Sequence, residues 1–494
     1  MDSRLQRGIS LAKTGETREA IALLESIESD AERAKDAATA SDALDWLGWL
    51  AWVELDGEQA RRCAAALMRL DLPKASREAF RVFIRQATVT LQAGDARGAA
   101  RLLEEAENAG DLADIDAFGD YLMVKGDVCG ALGENENAIH HTRLGVEIAR
   151  NRRDRYSLWR RLLYHAYSLA AGGRVRWAGA ALDEALQVAE DESLTWERTF
   201  TLARAAFVAF TLGDMRRART LIGEAFAATE PHRWAYVQRS MVGVAIGLAT
   251  GDGALLSMAF DEDVPRYAFE SADAYTIGYT AAAYHAYFRR AGREDAADDL
   301  LHRALDRLPS PDCGWWLVEA AAEYGNDSEV ERTERLIAMF PKNHPLASAY
   351  RALFEARIAV RRGDRSRGEL RAGEAQALFE QCEWLFMAAR AAEYAGRLGD
   401  AKSRYSAMGA TAEASRLAGQ RARPGRPRSG YESTRQRREI VELIAKGATN
   451  RVIAERLGVS PRTVKYRISE LYADEGVASR DELLASIRSG RTLA

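Results

Sequence analysis

The sequence predicts an all-α chain: a long helical repeat array followed by a short, basic helical module. Three observations carry this reading. Proline occurs only 10 times in 494 residues while 47% of the residues are hydrophobic, a balance that favours helices. A glycine recurs through residues 1–401 at intervals of 33 to 42. Composition then shifts sharply after Gln420: residues 421–494 hold 16 Lys/Arg and 9 Asp/Glu, a net of +7, against −11 for residues 1–420. At this length one ordinary core does not suffice, so several domains or an extended array are required.

The recurring glycines are Gly15, Gly57, Gly94, Gly133, Gly173, Gly213, Gly251, Gly292, Gly325, Gly363 and Gly396. Glycine tolerates positive φ, so each is expected to close one helix and turn the chain. Asp or Glu often follows, as in Gly94-Asp95, Gly213-Asp214 and Gly363-Asp364, where a helix dipole favours negative charge. Five positions after the glycine comes Ala20, Ala99, Ala138, Ala178, Ala218, Ala297 or Ala401, small enough for a partner helix to approach closely. Four copies extend this to Gly-x4-Ala-x3-[Leu/Ile]-x2-Ala, for example Gly213, Ala218, Ile222 and Ala225. Those spacings keep the apolar residues on one helical face.

The pattern resembles the second helix of a tetratricopeptide repeat, whose period is ~34 residues. Gly8, Gly126 and Ala206 stand seven residues before a repeat glycine, and Pro309 falls where the family's closing proline would. Most periods here are nearer 40, and the full tryptophan–leucine–glycine–tyrosine signature is never complete. The expectation is a tetratricopeptide-like α-solenoid over residues 1–415. By that resemblance its concave surface holds a protein partner or a small-molecule effector.

Residues 416–430 read as a flexible basic linker, with Arg426 and Arg428 placed to touch a minor groove or phosphate. A four-helix module is expected over residues 431–492. Its first helix covers 434–446, with Ile440, Leu443 and Ile444 on one face, and Gly447 stops it. Thr449 caps a second helix burying Ile453, Ala454 and Leu457. After the turn Leu457-Gly458-Val459-Ser460, Ser460 and Pro461 open a third helix whose Val464, Ile468 and Leu471 form a single apolar stripe. Gly476 ends it. Ser479 and Glu482 frame a capping box for a fourth helix bearing Leu483, Leu484 and Ile487. The opposite side of the third helix is polar and basic, through Arg462, Lys465, Tyr466 and Ser469. A helix with one anchored side and one donor-rich side can lie in a major groove.

Ile440 to Gly447, Thr449-Asn450-Arg451, Ile453-Ala454, Leu457, Val459-Ser460 and Thr463-Val464-Lys465 resemble the LuxR/FixJ-type helix-turn-helix, and Gly476-Val477 and Ser479-Arg480 stay in register. The resemblance covers about 60 residues of the 494. It implies that Arg462, Lys465, Tyr466 and Ser469 face the bases of double-stranded DNA. It places Thr449, Asn450, Arg451, Ser460, Thr463 and Arg467 near phosphate, and it gives Leu483, Leu484 and Ile487 to a helix that pairs two copies as a homodimer on DNA. RNA polymerase is a further partner it implies. Three positions depart from the family: Ser433-Thr434-Arg435-Gln436-Arg437 replaces the usual opening, Arg467 stands for a histidine, and Glu475 occupies a core leucine position. Burying that carboxylate unpaired is expensive, so Glu475 is expected to turn outward. Regulators of the maltose-activator type join an NTPase, helical repeats and this domain, and the chain resembles the last two parts.

Other chemistries find no pattern. There is no G-x-x-x-x-G-K-[ST], no H-E-x-x-H and no G-x-S-x-G, so no cofactor, metal or enzymatic activity is expected. His140 and His141 are adjacent and diverge by about 100° on a helix, which suits a surface or packing role. Trp46, Trp49 and Trp52, three apart on one helix, suit repeat-core filling better than a ligand cage. Cys63, Cys129, Cys313 and Cys382 are widely spaced and read as free thiols. No run reaches the ~18 apolar residues of a membrane span, and the charged N-terminus is no signal peptide, so a cytoplasmic protein without a membrane partner is expected.

Overall fold

The computed structural model describes residues 3–72, 76–109, 115–228, 232–271, 273–308, 317–339, 344–419, 439–457, 464–465, 468, 471–472, 477 and 479–488. Among these residues every regular element is a helix. The chain divides into two compact units, Met1–Arg421 and Ala422–Ala494.

The first unit is a succession of helical hairpins. They run α1 (Ser3–Thr14) with α2 (Thr17–Ala34), α3 (Ala37–Val53) with α4 (Gly57–Leu67), and α5 (Arg77–Gln92) with α6 (Ala96–Ala109). There follow α7 (Ile115–Ala131) with α8 (Asn135–Arg152), α9 (Arg155–Ala171) with α10 (Val175–Asp191), and α11 (Thr195–Thr211) with α12 (Met215–Ala227). Helix α13 (Arg233–Thr250) is answered by the short α14 (Gly253–Ala259) and α15 (Val264–Glu270), and α16 (Ala274–Arg290) by α17 (Glu294–Arg307). The array ends with α18 (Leu317–Tyr324), α19 (Asp327–Ala338), α20 (Pro345–Arg361), α21 (Arg365–Gln381), α22 (Leu385–Tyr394), α23 (Leu398–Met408) and α24 (Thr411–Gly419). Most helices pack on their successors, and most first helices of consecutive hairpins pack on one another, which is the tetratricopeptide-like α-solenoid plan.

The two helices of a hairpin play different parts. Helix α11 is surrounded and buries 13 of its 17 residues, whereas α12 buries only Met215, Ala218, Ile222 and Ala225 and turns its charged face outward. The alanines five positions after the repeat glycines, from Ala20 to Ala401, are all buried. Gly8 shows why small residues stand opposite them: a Cβ there would come within 3.0 Å of the Leu24 side chain on the facing helix.

Gly213 illustrates the turns. It takes φ +79°, its N–H bonds the Phe210 carbonyl at 2.9 Å, and Asp214 N–H bonds Ala209 at 2.8 Å. Asp214 then accepts from Arg217 N–H, so it serves as N-cap rather than as a charge inside the first turn. Asp364 does the same for α21. Gly57 and Gly325 depart from the expected role. Leu55 supplies the positive φ (57°) before α4, and Gly57 is that helix's first residue. Gly325 precedes the Asn326–Glu329 capping box of α19 without entering the left-handed region. Pro309 lies outside the described residues.

The array closes on itself. Helix α3 reaches α13, where the Trp52 and Trp234 ring centroids are 3.7 Å apart and Phe200 stacks on Trp234 at 3.8 Å. At the other end α22 and α24 reach back to α11, α13 and α16: Phe386 meets Phe210 at 4.4 Å, Arg290 pairs with Glu413, and Thr411 bonds the Thr250 carbonyl at 2.6 Å. The first helices of the hairpins thereby enclose a lumen. Trp49 is buried in the core, as its spacing implied, while Trp46 and Trp52 are only partly buried, and all three line a lumen cavity.

Cys63, Cys129 and Cys382 are buried free thiols, and Cys313 lies outside the described residues. His140 is exposed and His141 half-buried. Among the described residues no His/Cys/Asp/Glu group is placed to hold a metal, and no helix is long and apolar enough to cross a membrane.

Candidate nucleic-acid interface

The second unit builds its core from the apolar stripe of each short helix. Ile440, Leu443, Ile444, Ile453, Ala454, Val464, Ile468, Leu471 and Leu483 form one buried cluster, with Leu457 and Leu484 packed partly buried against it. These are the stripes that helical spacing predicts. The first helix is described from 439 to 445. Gly447 at φ +78° stops it: its N–H bonds Ile444 at 2.9 Å and Ala448 N–H bonds Leu443 at 2.9 Å. The second helix, Asn450–Leu457, follows after two residues. Thr449 accepts the Val452 N–H at 3.4 Å, and Ile453 N–H bonds the Thr449 carbonyl at 3.0 Å.

This tight turn presents Thr449 and Arg451 to solvent. Arg451 is mostly exposed and reaches Glu455 at 3.3 Å, a pair weak enough in water to yield to a phosphate. Asn450 is half-buried, because Arg480 donates to its side-chain oxygen at 2.9 Å and to the Ala448 carbonyl. Its amide N–H groups face away from that bond and can donate elsewhere. The Arg480 link was not legible in the sequence, since nothing in its spacing places residue 480 beside residue 450.

On the third helical stretch Val464, Ile468 and Leu471 point inward while Lys465 is exposed on the other side. The base-facing candidates Arg462, Tyr466 and Ser469 lie outside the described residues. So do Ser460, Thr463 and Arg467 among the phosphate candidates, the linker residues Arg426 and Arg428, and Glu475. In the last helix, Arg480–Arg488, Ser479 accepts the Glu482 N–H at 3.2 Å. Leu483 is wholly enclosed by the unit's own core and Leu484 is half-buried. The Ile487 side chain lies outside the described residues.

A homeodomain-like domain model matches residues 431–480. Over 76 residues the chain is 45% identical to an HTH-type transcriptional regulator of Mycobacterium bovis and 43% identical to one of Mycobacterium tuberculosis. Those matches cover 15% of this chain and 8% of each relative's length. The chain thus carries a C-terminal homeodomain-like helix-turn-helix domain similar to those of HTH-type transcriptional regulators. Among solved structures, a Rap protein complexed with competence and sporulation factor aligns at TM-score 0.41 and 13% identity, covering 82% of this chain and 98% of that one. The apo quorum sensor NprR of B. thuringiensis aligns at TM-score 0.37 and 12% identity, covering 74% and 99%.

Proposed function

We propose that the chain is a sequence-specific DNA-binding transcription regulator whose helical array senses a ligand or protein partner. The observation that carries this is the helix-turn-helix core itself, with its buried stripe Val464, Ile468 and Leu471 backing an exposed Lys465. In this reading residues 1–415 sense, residues 416–430 tether, and residues 431–492 read duplex DNA as a LuxR/FixJ-type domain does. Arg462, Lys465, Tyr466 and Ser469 face base edges in the major groove. Thr449, Asn450, Arg451, Ser460, Thr463 and Arg467 hold phosphate, and Arg426 and Arg428 add phosphate or minor-groove contacts. Two copies pair on the operator through the last helix, by Leu484 and Ile487 rather than by Leu483, which the unit's own core takes up, and RNA polymerase is the downstream partner. The net +7 of residues 421–494 supports polyanion binding by this part alone.

Duplex binding by the full chain, followed by fluorescence anisotropy against salt, tests the proposal. Affinity should fall steeply and log-linearly with salt. Lys465→Ala should weaken a selected site by about 1–3 kcal/mol while changing non-specific binding far less. Absence of retention at low salt points instead to a protein-binding scaffold.

A further inference from the structure

The lumen of the array contains a cavity of about 260 Å³ lined by aromatic, aliphatic and a few polar side chains, mostly from the first helices of successive hairpins. Two half-buried ionisable groups line it without an oppositely charged bonding partner among the described residues. Asp127, on α7, lines the cavity, and no hydrogen bond or ion pair to its carboxyl is formed among the described residues. Burial pushes that carboxyl well above the usual carboxylate range. Arg204, on α11, lines the same cavity; its guanidinium lies 4.4 Å from the Tyr167 ring centroid and 5.7 Å from that of Phe207. Its polar partner is a neutral one, the Gln238 side-chain oxygen at 2.9 Å. The carboxylate that bears on Arg204, Asp273, is turned to the cap of α16, where it accepts from the Tyr275 and Thr276 N–H groups.

Among the described residues the arginines lining the neighbouring cavity are matched: Arg85 pairs with Asp45 at 2.7 Å, Arg81 with Asp42 at 3.3 Å, Arg160 with Asp120, and Arg161 with Asp120 at 3.5 Å. No ion pair joins Asp127 and Arg204. A carboxyl without a cation, and a guanidinium bonded to an amide while the Asp273 carboxylate in the same chamber is turned to a helix cap, define complementary ends for a ligand. The aromatic wall between them, including Tyr164 and Tyr167, suits a hydrophobic body and can add cation–π attraction to an ammonium.

We propose that the lumen binds an amino-acid-like zwitterion, its ammonium on Asp127 and its carboxylate on Arg204. This rests on the reading of the array as the sensing part of the chain and names the chemistry of what it senses. The volume lies below the range of about 300–1,000 Å³ usual for drug-sized ligands, which fits a single amino acid or dipeptide and not a longer segment. Binding needs no bond making or breaking. The ammonium supplies the counter-charge that Asp127 lacks, and the carboxylate replaces an amide as the partner of Arg204, each as a charge-assisted hydrogen bond.

The test uses the full chain and begins with thermal shifts in the presence of each of the 20 amino acids, plus dipeptides of the apolar ones. The best ligand then goes to calorimetry beside its decarboxylated amine and its deaminated acid. The expected result is that the zwitterion binds about tenfold or more tightly than either analogue. Asp127→Asn should lower zwitterion affinity about tenfold and leave the deaminated acid unchanged, and Arg204→Gln should do the reverse with the amine. A dipeptide binding better than its free amino acid assigns the source while keeping the chemistry. The proposal is overturned if no probe shifts the melt, or if amine, acid and zwitterion bind the unaltered chain alike. Measuring duplex affinity with and without the best probe separates the two readings. Ligand binding that leaves DNA affinity untouched removes the sensing role, whereas loss of ligand binding removes only the zwitterion site.

Discussion

Arg480 donates to the Asn450 side-chain oxygen at 2.9 Å and to the Ala448 carbonyl, tying the last helix of the C-terminal unit to the turn that opens the second. That turn offers Thr449 and Arg451 to solvent, so the guanidinium holds the loop on which the phosphate contacts are proposed. Replacing Arg480 by Ala leaves two acceptors with water in place of a charged donor and should destabilise residues 422–494 by about 1–2 kcal/mol. Duplex affinity should drop with it. Arg480→Lys, which can keep one bond at a time, should recover part of both losses. Thermal melts and anisotropy on the three proteins give the comparison; equal affinity for all three would mean that the turn does not need this support.

Glu197, on α11, is fully buried, and neither carboxylate oxygen receives a hydrogen bond from another residue. Desolvation pushes its carboxyl up to about 8. An acid whose folded value is raised binds its proton more tightly in the native state, so stability is greatest below the unfolded value near 4.3 and falls as pH climbs toward 8. Glu197→Gln should abolish that slope and raise the array's melting temperature at pH 8 relative to the unaltered chain. A pH-stability profile of both proteins checks this, and parallel profiles would show that another group is responsible.

Trp234 joins the two sides of the closed array, meeting Trp52 and Phe200. Trp234→Ala should cost about 3–5 kcal/mol as a buried large-to-small change. It should also loosen the contact between α3 and α13, which small-angle scattering of the chain would register as a larger radius of gyration. Destabilisation with unchanged dimensions would locate the closure in the contacts of α22 and α24 instead.

Much of this architecture is written in local spacing. Ala178, Leu182 and Ala185 are buried where their intervals put them, and Gly173 turns the chain at φ +78°. Glycine marked chiefly the turns within hairpins. The turns that join one hairpin to the next fall on Lys35, Arg153, Ser193 and Glu383, which adopt positive φ without glycine and carry no sequence signal. Closure of the array was illegible for a different reason: Trp52 and Trp234 are 182 positions apart, and their meeting depends on a small rotation summed over many hairpins. In the C-terminal unit Ile453, Val464, Ile468 and Leu471 were readable from period alone, whereas Arg480 reaching Asn450 depends on the angle between helices. The lumen charges lay in plain view. Asp127 sits between Val124 and Val128 on a buried helical face, and a carboxylate in such a setting signals a site only once its surroundings are known.

DNA recognition is tested most directly by selection from a random duplex pool with the full chain and with Lys465→Ala in parallel. A single enriched motif for the unaltered chain, relaxed or lost at the positions Lys465 reads, is the expected result. Equal recovery of all sequences by both proteins, or recovery of none, would contradict it.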